Sequence, residues 1–247
     1  MAGDFDMGGA QFPVTRHSAV LAIRSDDPEV RARSSEILAL AYWKPVYKYV
    51  RLKWRKSSDD AQDLTQAFFA KAFEKGYFDA YDPAKARFRT FMRTCLDRFV
   101  ANDDKAGKRL KRGGDVRILS LDFEQADGEL ARTEPPSPDN LDQFFDQEWV
   151  RSLFSMAVDA LREECAGRGK AKQFRVFELY DLEDGAAPKR SYASLAQDLG
   201  ISVTDVTNYL SFARREFRRT VLEKLREITA TDEEYKMEAR AVLGVGD

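Results

Sequence analysis

The sequence predicts an all-α fold. No stretch shows the alternation of apolar and polar residues that a half-buried strand requires, and β-branched residues are sparse. Apolar residues instead recur at the three- and four-residue spacing of amphipathic helices. With 247 residues, of which 43% are hydrophobic, the chain is long enough to bury one or two ordinary cores.

The first helices are delimited by recognisable start and stop residues. Pro28 follows two aspartates and suits the first position of a helix that we expect to continue to Trp54. Ser57 or Ser58 is expected to cap the next helix, which should end near Gly76. After a turn, a third helix begins near residue 87 and completes a first domain over residues 14–115.

An acidic, proline-bearing segment follows over residues 116–142. Nine acidic residues and one basic residue fall between residues 122 and 148, whereas residues 85–117 carry eleven basic and four acidic residues. Such separated charge indicates separate partners for separate surfaces. We expect residues 116–142 to be an extended, flexible linker.

The second predicted domain covers residues 143–228. Apolar residues predict helices over 144–166 and 172–182, and then a helix-turn-helix over 191–219. Gly200 suits the left-handed end of its first helix, and Ser202 with Asp205 forms a capping-box pattern for the second. Residues 229–247 form a tail with a short amphipathic helix over 234–243, for which the sequence indicates no role.

The exposed face of the second helix combines short polar residues with arginines. Short polar groups near a helix N-terminus can reach base edges, and arginines beyond them can bind phosphates. The alternative is an ordinary helical hairpin with a solvated polar face. The predicted duplex-binding residues are Ser202, Thr204, Thr207, Asn208, Ser211, Arg214, Arg215 and Arg218.

Two further surfaces lie in the first domain. Asp59, Asp63 and Gln66 share one side of a helix, which is either favourable charge at a helix N-terminus or a docking face for a basic partner. Basic residues are then interleaved with phenylalanines, a pattern that suits single-stranded nucleic acid. Most of these rings are expected in the core, but packing does not account for the polar residues among them. These are Arg87, Arg89, Arg93, Arg98, Asn102, Lys105, Lys108, Arg109, Lys111 and Arg112.

Composition argues against several other classes. Two cysteines and one histidine make a disulfide framework, a zinc site or a Ser-His-Asp centre improbable. There is no phosphate-binding loop, so we expect neither an enzyme nor a cofactor. No apolar run approaches the ~20 residues of a membrane span, and the N-terminus lacks signal-peptide character, so no membrane insertion and a cytoplasmic location are expected.

Three motifs follow one another along the chain. Residues 60–66 read D-A-Q-D-L-T-Q, residues 87–114 run from R-F-R-T-F to the glycine pair, and residues 191–215 contain the helix-turn-helix. In this order they resemble the extracytoplasmic-function class of bacterial RNA polymerase sigma factors. The first is close to the D-A-E-D-L-T-Q run of that class, the second resembles its promoter-melting segment, and the third resembles its fourth region. The resemblance covers most of residues 14–228.

The resemblance implies a function for each surface. Asp59, Asp60, Asp63 and Gln66 would dock on the clamp helices of the polymerase β′ subunit. The basic block would open the promoter −10 element. The helix-turn-helix would read the −35 element, beside the β flap. Partners would be core polymerase, promoter DNA and a regulator such as an anti-sigma protein or a kinase, for which Thr65 offers one candidate target.

The sequence also departs from the family pattern. Gln62 replaces a common acid, and Thr207 and Tyr209 stand where cations are frequent. Fewer cations predict weaker phosphate attraction and a shallower salt dependence. The leading prediction is therefore a sigma factor, with a stand-alone helix-turn-helix regulator as the alternative. A polymerase-docking adaptor that no longer reads promoters is a third, more distant possibility.

Overall fold

The computed structural model describes residues 18–105, 121–183 and 190–244, and all regular structure in these ranges is helical. This confirms the all-α prediction. The helices are α1 (Ala19–Ala22), α2 (Pro28–Lys53), α3 (Ser58–Glu74), α4 (Phe88–Lys105), α5 (Phe123–Ala131), α6 (Leu141–Gly167), α7 (Ala171–Phe177), α8 (Tyr192–Leu199), α9 (Val203–Glu227) and α10 (Asp232–Leu243). No helix in the described ranges is both long enough and apolar enough to cross a membrane.

Helix ends follow the capping residues of the sequence. The Asp27 side chain accepts hydrogen bonds from the amides of Glu29 and Val30, with Pro28 in the first helical position. The Ser57 side chain accepts from the Asp60 amide and begins α3. These side chains satisfy amides that a helix N-terminus leaves without partners. α2 continues through Pro45 as one helix.

The larger core surrounds α2, which is buried along most of its length after Leu38. Tyr42 contacts Phe88 of α4 and Trp149 of α6, with ring centroids 5.6 and 6.3 Å apart. Tyr49 meets Phe145 of α6 at 5.4 Å. The same apolar cluster extends to α9 and α10. Residues from both predicted domains therefore share one core.

A smaller lobe contains the helix-turn-helix. Its apolar clusters join α7, α8 and the first half of α9 to the second half of α6. α6 and α9 thus each contribute to both the larger core and this lobe. The boundary predicted at residue 143 falls at the start of α6, whose first half packs on α2. The two apolar regions do not divide at that residue.

The extended conformation predicted for residues 116–142 is wrong for residues 121–142, the part that the structure describes. This part holds α5 and a 3-10 turn over Pro138–Asn140. Phe123 packs edge-on against Trp43 and Tyr47 of α2, at centroid distances of 5.3 and 5.0 Å. Its acids are not merely solvated, because the Glu129 carboxylate lies 2.7 Å from Lys44 Nζ. The acidic composition predicted an extended segment, but ion pairs with cations of α2 offset the repulsion between its negative charges.

Burial alone would raise the pKa of Glu129, but hydrogen bonds from Lys44 and Lys48 outweigh it and hold that pKa below its usual range. Arg51 similarly reaches Asp127, with Nε 3.1 Å from the carboxylate. α5 is therefore fastened to α2 by apolar contact on one side and by ion pairs on the other.

Candidate nucleic-acid interface

The helix-turn-helix has the local geometry that its sequence predicts. Gly200 ends α8 with φ 61° and ψ 45°, in the left-handed region that glycine adopts at little cost. The Ser202 hydroxyl accepts from the Asp205 amide at 3.0 Å, and the Asp205 carboxylate accepts from the Ser202 amide at 3.0 Å. The Ser202 hydroxyl also donates to the Asp205 carboxylate at 2.7 Å, and this bond together with that from the Ser202 amide holds the pKa of Asp205 below its usual range. Leu195 and Val206 are fully buried where the helices cross.

The polar face of α9 is exposed in the structure. Thr204, Thr207, Asn208 and Ser211 all lie on the surface, followed by Arg215 and Arg218 at positions that continue the same helical stripe. The Thr207 hydroxyl donates to the Val203 carbonyl oxygen. Ser202 uses its hydroxyl in the capping box, which leaves the other polar groups of the stripe as the better candidates for base contact.

Arg214 and Arg219 of α9 pair with acids of other segments, whereas Arg215 Nε lies 3.5 Å from its neighbour Glu216 and the Arg215 side chain stays 69% exposed. Arg214, predicted to bind DNA, makes two hydrogen bonds to the Asp181 carboxylate at 2.8 and 2.9 Å. Arg219 pairs with Glu164, Glu216 and Glu223, and these bonds raise its pKa although burial opposes the increase. Arg214 therefore links α9 to the segment that follows α7, and Arg219 links α9 to α6 and to the adjacent turns of α9 itself.

Sequence reasoning missed one cation beside this face. Lys170, in the turn before α7, places Nζ 4.1 Å from the centroid of the Phe212 ring. The Arg215 guanidinium lies 5.7 Å from the same centroid. The pair extends the positive surface beyond α9 itself. No helical period links residues 170 and 215, so only the tertiary contact reveals it.

The acidic face of α3 is exposed as predicted. Asp59, Asp60 and Asp63 lie on the surface and Gln66 is half-buried. The opposite side of the helix packs into the core through Leu64 and its neighbours. Thr65 lies on that buried side, fully enclosed, and its hydroxyl donates to the Ala61 carbonyl at 2.7 Å. The folded chain does not present this threonine to a kinase.

The α4 cations differ most from expectation. Arg89 is only 6% exposed, with Nε 3.3 Å from Asp146 and Nη1 3.2 Å from Glu238. Its guanidinium also lies 4.8 Å from the centroid of Trp149. The prediction that packing would not account for these cations is therefore wrong for Arg89.

Two neighbouring arginines are paired as well. Arg93 Nη2 lies 2.7 Å from the Asp142 carboxylate, and Arg87 Nε lies 3.8 Å from Glu238. Arg98 and Asn102, farther along α4, are exposed. The Lys105 side chain and residues Lys108, Arg109, Lys111 and Arg112 lie outside what the structure describes.

The phenylalanines of the basic block belong to the core, as the sequence indicated for most of them. Phe88 is 1% exposed and Phe99 is 7% exposed, while Phe91 is half-buried. Neither Phe88 nor Phe99 offers a ring face to an unpaired base in this conformation. The exposed polar residues of α4 in the described part of the helix include Arg98 and Asn102.

Other chemistry has little geometric basis in the described ranges. Burial raises the pKa of the Cys95 thiol to about 11 and also raises that of Cys165. Both side chains therefore remain protonated thiols at neutral pH, and thiols are poor nucleophiles. No three His, Cys, Asp or Glu side chains within these ranges form a group suited to a metal ion.

Comparison with protein-family models, curated proteins and solved structures found no match for this chain. Its function is therefore inferred from its own residues and their geometry.

Proposed function

We propose that this chain is a sigma factor of the extracytoplasmic-function class, a non-catalytic subunit that directs core RNA polymerase to specific promoters. One observation carries the proposal: an exposed acidic face on α3 and an exposed polar face on α9 occur in one chain, in the order of the family's motifs. A polymerase-docking surface and a duplex-reading surface are the minimum that such a subunit needs.

Docking on the β′ clamp helices is assigned to Asp59, Asp60, Asp63 and Gln66. Their charge is available to a partner because the inward side of α3 supplies the packing that holds the helix in place. Complementary charge accelerates encounter and sets orientation between protein surfaces. The acidic face is therefore suited to a basic partner surface.

Reading of the −35 element is assigned to α9, beginning at Thr204. Thr207, Asn208 and Ser211 are short enough to reach base edges in a major groove, and asparagine can bond adenine through two atoms. Arg215 and Arg218 lie farther along the exposed stripe, where they can bind phosphates. Contact of this lobe with the β flap belongs to the same proposal.

Opening of the −10 element is assigned to α4. Arg98 and Asn102 are exposed, but Arg87, Arg89 and Arg93 must exchange their acidic partners for phosphates before they can bind promoter DNA. Regulation by an anti-sigma protein or a kinase completes the proposal.

The deciding experiment combines purified chain with core polymerase and a library of genomic promoter fragments. We expect co-purification with core and initiation at a defined subset of start sites. If core alone and core with the chain initiate at the same sites, the proposal is wrong.

Reversal of charge at Asp63 should weaken polymerase binding. Asp63→Arg places a cation in an exposed acidic face, and each like-charge contact across an interface costs several kcal/mol. We expect affinity for core polymerase to fall by at least about tenfold, measured by fluorescence anisotropy of labelled chain. Glu36→Arg, at an exposed position on α2, is the matched control and should bind normally. Equal binding by both variants would show that the docking face is misassigned.

Removal of the Arg215 and Arg218 charges should change the salt dependence of duplex binding. Each lost phosphate contact lowers the slope of log K against log salt by about 0.9, so Arg215→Gln/Arg218→Gln should lower it by about 2. The control, Arg33→Gln/Arg132→Gln, removes two exposed charges from α2 and the C-terminal end of α5. An unchanged slope in the first variant would place the DNA elsewhere.

A stand-alone helix-turn-helix regulator remains the second candidate. It is favoured by the contrast between the exposed α9 face and the paired arginines of α4. Such a protein would bind duplex DNA tightly without polymerase, commonly as a dimer on a palindrome. Measurement of duplex affinity and oligomeric state without core polymerase separates the two functions.

A further inference from the structure

Acids from later helices occupy the predicted nucleic-acid face of α4. Glu238 of α10 lies within ion-pair distance of both Arg87 and Arg89, while Asp142 and Asp146 of α6 pair with Arg93 and Arg89. The Glu238 side chain is only 2% exposed. Carboxylates therefore take the places that phosphate oxygens would take in a complex.

α10 also covers the first turn of α4. One Glu234 carboxylate oxygen accepts from the Phe88 amide at 2.7 Å and from the Tyr81 hydroxyl at 3.2 Å. The other oxygen accepts from the Ala230 amide at 2.8 Å. A helix N-terminus favours a negative charge, which adds to this attraction. Glu234 and Glu238 together make α10 an acidic cover over the start of α4.

The attachment of α10 is mainly electrostatic. Its fully buried residues are Glu234, Glu238 and Ala239, and its larger apolar side chains, including Tyr235, are only partly buried. By contrast, α6 buries Phe144, Phe145, Trp149 and Leu153. Buried ion pairs contribute little net stability because desolvation offsets their attraction. An element held in this way can detach at lower cost than one held by an aromatic core.

The ion-pair network around Arg89 is also incompletely hydrogen-bonded. Asp146 Oδ1 lies within ion-pair distance of Arg89 Nε, and Glu238 Oε2 lies within ion-pair distance of the same guanidinium. Neither of these carboxylate oxygens nor Arg89 Nε has the geometry of a hydrogen bond. Burial raises the pKa of Glu238 although the two arginines oppose the increase, so its charged form is costly to hold there. A buried ion-pair network whose hydrogen bonds are incomplete holds α10 on α4 only weakly.

We propose that α10 is a displaceable acidic cover, and that single-stranded DNA binds the arginine face of α4 only after Glu234 and Glu238 leave it. This inference rests on the proposed function for the identity of the ligand. The physical claim is competition: the Glu238 carboxylate and the phosphates of the strand bind the same guanidinium groups, while Glu234 holds α10 over the start of α4. Apparent affinity is then reduced by the fraction of molecules in which α10 is detached.

The test uses the full chain and a fluorescein-labelled single-stranded oligodeoxynucleotide of about 20 nucleotides, followed by anisotropy. Glu234→Gln/Glu238→Gln removes the two buried charges with little change in side-chain size. If α10 is detached in less than about a tenth of wild-type molecules, this variant should bind about tenfold more tightly or better. Addition of Arg89→Gln should reverse much of the gain, which would localise it to α4.

The control removes the same net charge without altering an acid that holds α10 in place. Glu233→Gln/Glu36→Gln alters two exposed acids, one on α10 and one on α2, and should bind like the wild type. Asp232 is kept because it pairs with Arg226 of α9. An equal gain in this control, or no gain in Glu234→Gln/Glu238→Gln, would overturn the proposal. Circular dichroism and urea unfolding establish that each variant is folded.

Hydrogen exchange of the unmodified chain provides a test without substitutions. In the presence of saturating oligodeoxynucleotide, the amides of α10 should lose protection while those of α2 keep it. If α10 retains its protection in the complex, it is not displaced and the proposal is wrong.

Promoter-specific initiation, measured separately, distinguishes this proposal from the proposed function. A gain in strand binding without initiation by any variant would support the cover and reject the sigma assignment. Initiation by the wild type with no gain in the α10 variant would support the sigma assignment and reject the cover.

Discussion

Replacement of Trp149 by alanine is expected to destabilise the folded chain by about 3–5 kcal/mol. Trp149 is 1% exposed and lies between α6 and α2, against Tyr42 and beneath the Arg89 guanidinium. Truncation removes the apolar contact, leaves a cavity and ends the cation–π contact. The total free energy of unfolding of a native protein is about 5–15 kcal/mol, so this loss would be a large part of the stability.

Urea unfolding followed by circular dichroism measures this change, and fluorescence of Trp43 and Trp54 reports on α2 in the same experiment. Leu40→Ala, at a 39% exposed position of α2, is the control and should change stability by less than about 1 kcal/mol. A loss for Trp149→Ala no larger than in the control would show that α6 does not pack on α2 in solution.

The same experiment bears on how the proposed subunit works. Since α6 begins the predicted second domain and packs on the core of the first, loss of Trp149 should lower the stability of both halves together. If the two halves instead unfold separately in the wild type, the proposed contacts with polymerase would be made by independent bodies. The structure favours a joint transition because α6 and α9 contribute to both apolar regions.

Replacement of Lys48 by methionine is expected to cost about 3–5 kcal/mol. Lys48 is 2% exposed, with Nζ 2.6 Å from Glu148 and 2.8 Å from Glu129. Glu148 is itself 1% exposed, and it also pairs with Arg151 of the next helical turn. Removal of the ammonium leaves the buried Glu148 carboxylate with only Arg151, whose side chain is 57% exposed, as an opposite charge. A buried carboxylate that is compensated only from the surface is more costly than a missing surface ion pair.

The double variant Lys48→Met/Glu148→Met should recover much of the loss, because an apolar pair of similar volume needs no compensating charge. Unfolding free energies of the two single variants and the double variant give the coupling between the side chains. Lys53→Met is the control, since Lys53 is 33% exposed in its pair with Asp97 and should cost less than about 1 kcal/mol. Additive losses in the double variant would contradict a buried, coupled pair.

Much of the local structure could be predicted from the sequence. Pro28 and Ser57 mark where α2 and α3 begin, and Gly200 with Ser202 sets the turn of the helix-turn-helix. These signals are local because a cap or a left-handed residue acts within one helical turn. The exposed faces of α3 and α9 follow from the same short-range periodicity.

Tertiary structure alone decided which charges remain at the surface. The Arg89–Glu238 pair joins residues 149 positions apart, and Lys48–Glu148 joins residues 100 apart. A helical period predicts which face a side chain occupies, but not which distant carboxylate meets it. The sequence thus determined the helices and their ends, whereas the packing of α5, α6 and α10 on α2 and α4 determined which cations are covered. The physical reason is that hydrogen-bonded turns are local, while burial and ion pairing depend on where distant helices meet.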